Sequence, residues 1–271
     1  MRNVARSFTK DGKRFFVPTN SYWAWRLSSE GLAAHVAGRE SWLQLKQQIL
    51  KRWAPHPSNA TFASGAHVAA LRPHESHTWF AVIDLQNFYD HVTSTKIHRA
   101  LEKIGFPRAF AFKLAGQSTI RQGQKYVLPR GFRQSPLLAA LVLEQSLFGS
   151  YLRRQFYRST ITLFSDDIII SSNDKDELED EFQHVTRSLA KSNFPVNPLK
   201  TQAPRREIVA FNMRMSQDEL RFTDERMWKF VTKAAHVTEG DPYLYDKLFG
   251  DYVFSINEVQ EGQLRASVGV K

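Results

Sequence analysis

Trp79-Phe80-Ala81-Val82-Ile83-Asp84-Leu85-Gln86-Asn87-Phe88-Tyr89-Asp90 is the stretch that decides the fold. Its first five residues are apolar without interruption and of strand length, which marks a central strand covered on both faces. That strand ends on a carboxylate, Asp84. Further on, Ile161-Thr162-Leu163-Phe164 and Ile168-Ile169-Ile170-Ser171 flank Ser165-Asp166-Asp167 and read as a hairpin with an acidic tip. Asp84 and Asp166 are remote in the chain, but in a sheet where their strands neighbour, both side chains project from one edge. Crowded carboxylates repel and resist ionisation, and an oxygen-seeking ion such as magnesium relieves the repulsion. A pair of such ions stabilises the entering and leaving oxygens of a phosphoryl transfer.

Outward from these segments, residues 1–70 are basic and aromatic. An amphipathic helix is expected around Glu40–Trp53, where Leu43, Leu45, Ile49 and Leu50 partly share a face. A loop rich in Pro, His, Ser and Gly follows, from Pro55 to Gly65. After Asp90, Ser94 or Thr95 is the candidate cap of a helix carrying Ile97, Leu101 and Ile104, stopped by Gly105 and Pro107. Ser135-Pro136 has the form of a Ser cap with Pro in the first turn, and Leu137 to Leu147 is apolar nearly all round, which predicts an internal helix. Asp174 and Glu177 have capping-box spacing before a helix with Leu178, Phe182, Val185 and Leu189 on one face. Pro195 and Pro198 break the chain. Ile208–Phe211 predicts another strand, and Thr223–Asn257 reads as two short helices. This order implies an α+β fold: an antiparallel-rich sheet with helices on one side.

Composition narrows the partners. The 271 residues are 42% hydrophobic and 24% charged, which suits a folded chain. Lys and Arg outnumber Asp and Glu by 37 to 27, and a net charge of +10 favours a polyanion. The longest apolar run, Leu137–Leu143, falls far short of the roughly 20 residues that span a bilayer, and the segment Met1–Ser7 has no signal-like stretch. No membrane insertion and a cytoplasmic location are expected. The absence of cysteine excludes disulfides and thiolate zinc sites. His74 and His77 have no third ligand nearby in sequence, so they are expected to be structural or exposed.

Taken together, the motifs resemble those of reverse transcriptases of the prokaryotic type, such as the retron, group II intron and antiphage-defence groups, over about residues 60–235. The family's first palm motif, Asp-hydrophobic-x-x-Phe-aromatic-Asp, is met by Asp84–Asp90. Its second, Leu-Pro-Gln-Gly-x-x-x-Ser-Pro-x-Leu-Ala-Asn, is met by Leu128–Ala140, its third, aromatic-x-Asp-Asp, by Phe164–Asp167, and its fourth by Asn197–Thr201. Ala210-Phe211-Asn212-Met213-Arg214 resembles the primer-grip strand. The resemblance implies a right-hand polymerase fold with a ferredoxin-like (RRM-like) antiparallel palm, reduced fingers and a short helical thumb. Residues 1–70 would be fingers-like, 71–215 the palm with a fingers insertion at about 94–127, and 216–271 thumb-like.

The implied activity is RNA-directed DNA synthesis with two magnesium ions, or manganese in their place. Asp84, Asp166, Asp167 and the Leu85 carbonyl would hold them, with Lys200 assisting the leaving pyrophosphate. Tyr89 falls at the position of the steric gate against a 2′-hydroxyl; Phe88, Arg130 and Gly131 fall at the nucleotide. Phe132, Ser135, Pro136, Phe164, Ser165 and Phe211 fall at template and primer. Three positions depart from the pattern: Phe164 for the usual Tyr, Arg130 for the usual Gln, and Ala140 for the usual Asn. Lys13, Arg14, Arg39 and Lys46 are the candidates for the triphosphate.

The implied partners are an RNA template, expected to be a cognate non-coding RNA, a DNA product or primer, and dNTPs. A short thumb suggests support from a second copy or a partner protein. Small size without appended maturase or endonuclease segments suggests bacterial antiphage defence. Two other readings remain: template-independent or protein-primed DNA synthesis, motivated by Arg130 and the reduced fingers, and a catalytically silent RNA-binding scaffold, which the crowded carboxylates disfavour.

Overall fold

The computed structural model describes residues 5–10, 13–18, 42–154, 158–238 and 242–270. Strands β1 (Ala5–Lys10) and β2 (Lys13–Pro18) form an antiparallel hairpin. In helix α1 (42–50), Leu45 and Ile49 are buried one turn apart while Leu43 and Leu50 stay exposed, so the expected stripe is real but narrow. The short α2 (Ala66–Leu71) precedes β3 (Trp79–Asp84), buried throughout after Trp79. Then come α3 (Ser94–Lys103), α4 (Arg108–Ser118) and a small hairpin of β4 (Ile120–Gln122) and β5 (Lys125–Val127). The internal helix α5 (Ser135–Glu144) and α6 (Leu147–Arg154) follow. Next are the hairpin of β6 (Thr160–Phe164) and β7 (Asp167–Ser172) and helix α7 (Lys175–Lys191). Strands β8 (Gln202–Arg205), β9 (Ile208–Ala210), β10 (Met213–Ser216) and β11 (Glu219–Phe222) come before α8 (Asp224–Thr238), α9 (Pro242–Tyr245), α10 (Asp251–Phe254) and α11 (Glu258–Ser267).

The central sheet has four antiparallel strands in the order β6-β7-β3-β8. Successive side chains of β3 alternate between its faces. Ala81 and Ile83 join Ile168, Ile170 and the interior of α3, α4, α5 and α7 in one core. Phe80 and Val82 join Ile169 in a second core with the three-stranded sheet β11-β10-β9 and the C-terminal helices. Helices on one side were expected; the other face is covered too, as the unbroken apolar run of β3 demands. Each of Phe80, Ile83 and Ile168 is wholly buried, stabilising the fold by roughly 1.5–3 kcal/mol relative to exposure.

Several local expectations are corrected. Thr93, not Ser94 or Thr95, caps α3, its hydroxyl accepting from the Lys96 amide at 3.3 Å. Ser135 lies inside the first turn of α5 and donates from Oγ to the Pro129 carbonyl at 2.7 Å, so Gln134 takes the cap position. Helix α5 stops at Glu144, and Gly149 at the start of α6 packs so closely on the Glu144 backbone that no side chain fits there. Asp174 does cap α7, accepting from the amides of Asp176 (2.8 Å) and Glu177 (3.2 Å). The return bond comes from Ser172, whose Oγ accepts from the Asp174 amide at 3.1 Å, while Glu177 pairs with Arg158. The strand expected over Ile208–Phe211 ends at Ala210: Phe211 and Asn212, at φ +55° and +61°, make the two-residue turn into β10. Beyond Phe222 lie α8 to α11, more helices than the two expected. Among the described residues, no helix is long and apolar enough to cross a membrane.

Candidate active site

The register of the central sheet sets Asp84 opposite Asp167. Strands β6 and β7 pair up to Phe164 and Asp167, which leaves Ser165 and Asp166 as a two-residue turn. Ser165 alone of the two has positive φ (+57°), the pattern a type II′ turn requires and one that matches the twist of the strands. The Leu85 amide donates to the Asp166 carbonyl at 2.8 Å, stitching the turn to the end of β3. Asp84 and Asp166 therefore share one sheet edge. Asp84 is buried, at 6% exposure, while Asp166 and Asp167 are half-buried.

A third segment is zipped onto the same edge. The Asn197 amide donates to the Asp84 carbonyl and the Gln86 amide to the Pro195 carbonyl, both at 2.8 Å. The Asp84 amide donates to Thr201 Oγ1 at 3.3 Å. These bonds deliver Lys200, whose Nζ lies 3.2 Å from Asp84 Oδ2. The ammonium end is mostly in solvent (61% exposed), so it can leave Asp84 without crossing a packed interior.

Tyr89 sits in the turn Phe88–His91, half-buried, its ring edge-on to Phe88 at 5.6 Å. It lines one cleft with Ser165. Burial pushes the phenol pKa up; the nearby Ser165 hydroxyl opposes this, the Asp166 charge adds to it, and Arg130 opposes it. The Arg130 guanidinium is 5.7 Å from the Tyr89 ring centroid and 3.9 Å from Asp90 Oδ1. Gly131 follows at φ +108°, a conformation that favours glycine.

The structure thus gathers Asp84, Leu85, Asp166, Asp167, Lys200, Tyr89, Ser165 and Arg130. Phe88, Phe132 and Ser135 are buried, at 2%, 1% and 1% exposure. Pro136 is exposed at the start of α5. Phe164 and Phe211 meet at 5.2 Å on the other flank, with the His67 ring 6.1 and 5.8 Å away. Lys46 is half-buried on α1; Arg39 and the side chains of Lys13 and Arg14 lie outside the described residues. Asn59 and Thr61 were missed. They line a cleft of about 10 Å³ together with Tyr89, Ala140 and Ser165.

The donor set suits a hard cation. Among the described residues, no three His, Cys, Asp or Glu side chains gather into a group that could hold a metal ion. Magnesium does not need one: it keeps several waters and takes one or two carboxylates plus substrate phosphates. Asp84 and Asp166, brought to one sheet edge, offer such carboxylates.

Residues 43–223 match the family model described as reverse transcriptase (RNA-dependent DNA polymerase). The chain is 29% identical over 170 residues to the Gag-Pol polyprotein of Walleye dermal sarcoma virus, covering 63% of this chain and 9% of that protein. It is 35% identical over 116 residues to the Gag-Pro-Pol polyprotein of Human T-cell leukemia virus 3 (strain 2026ND), covering 42% and 8%. It spans less than a tenth of the length of these relatives. Among solved structures it is similar to telomerase from Candida albicans in complex with a TWJ fragment of telomeric RNA. The TM-score is 0.54 at 11% identity, covering 98% of this chain and 54% of that one. That likeness is one of fold, the right-hand polymerase.

Proposed function

Because this chain belongs to the reverse transcriptase family, we propose that it is an RNA-directed DNA polymerase, extending a primer with deoxynucleotides along an RNA template. The observation that carries the reading is the meeting of Asp84 and Asp166 at one sheet edge, across the 2.8 Å bond from the Leu85 amide to the Asp166 carbonyl. Two magnesium ions, when bound there, supply charge neutralisation for the primer hydroxyl and the departing pyrophosphate. Asp84 and Asp166 are the residues that would hold them, with Asp167 and the Leu85 carbonyl as further oxygens.

The protein's own groups do the rest. The Lys200 ammonium stabilises or protonates the leaving pyrophosphate. Tyr89 excludes a 2′-hydroxyl, and Arg130 supplies a planar, permanently charged donor to phosphate or template beside it. Gly131 lets backbone approach the templating pair. Pro136 and Ser165 face template and primer, and the Phe164–Phe211 cluster flanks the primer end.

In this reading residues 1–70 serve as fingers, 71–215 as palm with the insertion at about 94–127, and 216–271 as a short thumb. The finer assignment is the copying of a dedicated non-coding RNA in the cytoplasm of a bacterium, as antiphage defence. It is supported by the likeness of the four motifs to those prokaryotic groups and by the basic charge of +10. A second copy or a partner protein would supplement the thumb.

The test is primer extension on an RNA template with magnesium and labelled dNTPs. Product is expected from the parent and absent from Asp166→Ala, which still binds RNA. Product formed without RNA would replace template copying by template-independent synthesis. No product from the parent under either condition would overturn the polymerase reading.

A further inference from the structure

We infer that Thr61, with the buried Glu144 behind it, is a positioning residue for sugar selection, acting through Ser165 on Tyr89; this rests on the polymerase reading above. Ser165 adopts φ +57°, a conformation that costs energy in any residue but glycine and persists only where the surroundings hold it. The hold comes from the loop before α2. The Ser165 amide donates to Thr61 Oγ1 at 2.9 Å. The Thr61 amide in turn donates to Asn59 Oδ1 at 3.1 Å, and the Leu163 amide donates to the Ser58 carbonyl at 2.7 Å, so the loop runs alongside β6.

Glu144 anchors that loop from inside the molecule. It is the acidic end of an otherwise apolar α5, at 2% exposure. Its Oε1 accepts from Asn59 Nδ2 at 2.8 Å and its Oε2 from the His56 amide at 2.9 Å. Every one of these partners is a donor, so the site calls for a carboxylate and not an amide. One hydrogen-bonded path thus leads from Glu144 through Asn59 and Thr61 to Ser165, and Ser165 lines one cleft with Tyr89. The cleft enclosed by Asn59, Thr61, Tyr89, Ala140 and Ser165, at about 10 Å³, leaves the ring little room to swing while the path is intact. Cutting the path frees the turn and lets the gate tilt.

The experiment is single-nucleotide incorporation on an RNA template, read as the kcat/KM ratio of dNTP over rNTP. Thr61→Val keeps the shape and removes the acceptor. It is expected to lower the ratio roughly three- to tenfold, the range of one hydrogen bond. Thr61→Ser is expected to hold the parental ratio, and Thr61→Val added to Tyr89→Ala to lower it no further. Glu144→Gln is expected to shift the ratio in the same direction. An unchanged ratio in Thr61→Val, or a further fall on top of Tyr89→Ala, overturns the inference. Hydrogen exchange over residues 163–168 gives a readout that does not need synthesis. Faster exchange of the Ser165 amide in Thr61→Val is expected, and unchanged exchange overturns the inference. A parent that incorporates no nucleotide counts against the polymerase reading alone.

Discussion

Lowering the pH from 7.5 to 5 should remove about 2 kcal/mol of folding stability through one side chain, His74. It is fully buried near the end of β7 remote from the acidic edge, since its partner Ser171 faces Phe80 while Asp167 faces Asp84. Thr162 Oγ1 donates to the Ala70 carbonyl at 2.7 Å, so it accepts from His74 Nε2, also at 2.7 Å. Nδ1 is then the acceptor for the Ser171 hydroxyl at 2.6 Å, and the Ser171 oxygen accepts from His77 Nδ1 at 2.9 Å. The partners thus assign a neutral ring protonated on Nε2. Burial, with His77 adding to it, pushes the His74 pKa down to about 3 from 6.5. Between those values the unfolded chain holds a proton that the folded chain refuses, so this contribution is complete above pH 6.5 and is lost as pH falls toward 3. At pH 5 the loss covers about 1.5 units at 1.36 kcal/mol each, hence the figure of about 2 kcal/mol. Urea denaturation at pH 7.5, 6 and 5, compared between parent and His74→Gln, isolates it, because the other titrating groups are common to both. The variant is expected to start less stable and to lose about 2 kcal/mol less on acidification. Parallel profiles, or a His74 ring resonance that titrates near pH 6.5 by NMR, would refute the reasoning.

Tyr89→Ala opens the space beside Ala140 and should raise ribonucleotide incorporation about tenfold or more, read from rNTP and dNTP kcat/KM; a ratio equal to the parent's removes the gate assignment. Lys200→Met should slow turnover by roughly a hundredfold, the scale of a lost general acid, while the Tm stays put because the ammonium is mostly solvated. A drop in Tm without a drop in rate would make the lysine structural. Gly149→Ala should destabilise by about 3 kcal/mol in thermal or urea unfolding, since its Cβ would lie 1.9 Å from the Glu144 carbonyl oxygen and that neighbour is backbone. An unshifted midpoint would mean that the turn between α5 and α6 yields freely.

What could be read in the sequence is what local pattern dictates. The run Trp79–Ile83 has the length and unbroken apolar character of a covered strand, and the β-rich arms around Ser165 have the form of a hairpin. Helix α5 was visible for the same reason. Thr61 and Glu144 were not, because their partners lie far along the chain: Ser165 is 104 residues from Thr61, and Asn59 is 85 from Glu144. Glu144 did leave one sign, a lone acid closing an apolar helix. Ser135 looked like a cap because the Pro129 carbonyl that takes its proton is brought near only by the folded loop. Phe211 looked like strand because positive φ is rare for an aromatic residue, and only its packing on Phe164 and His67 rewards the turn.

The placement of the carboxylates follows from hydrophobic residues more than from the acids themselves. Leu85, Ile83 and Ala81 are committed to one core, and Phe80 and Val82 to the other, so Asp84 has a single face left to it. A slip of β3 by one residue against β7 would exchange those sets and turn Asp84 into the helical core. Both faces being buried, such a slip displaces apolar side chains on two sides at once, which fixes the register more firmly than a one-sided sheet would. The bond from the Leu85 amide to the Asp166 carbonyl then closes on a register already chosen. The segment Pro195–Thr201 adds the counter-charge from the opposite edge of β3, and its amide bonds to Asp84 and from Gln86 mean that Lys200 arrives with the strand end, not by its own salt bridge. An ammonium so exposed contributes little to holding that segment, so in the proposed reaction Lys200 would exchange Asp84 for a departing phosphate without loosening the sheet.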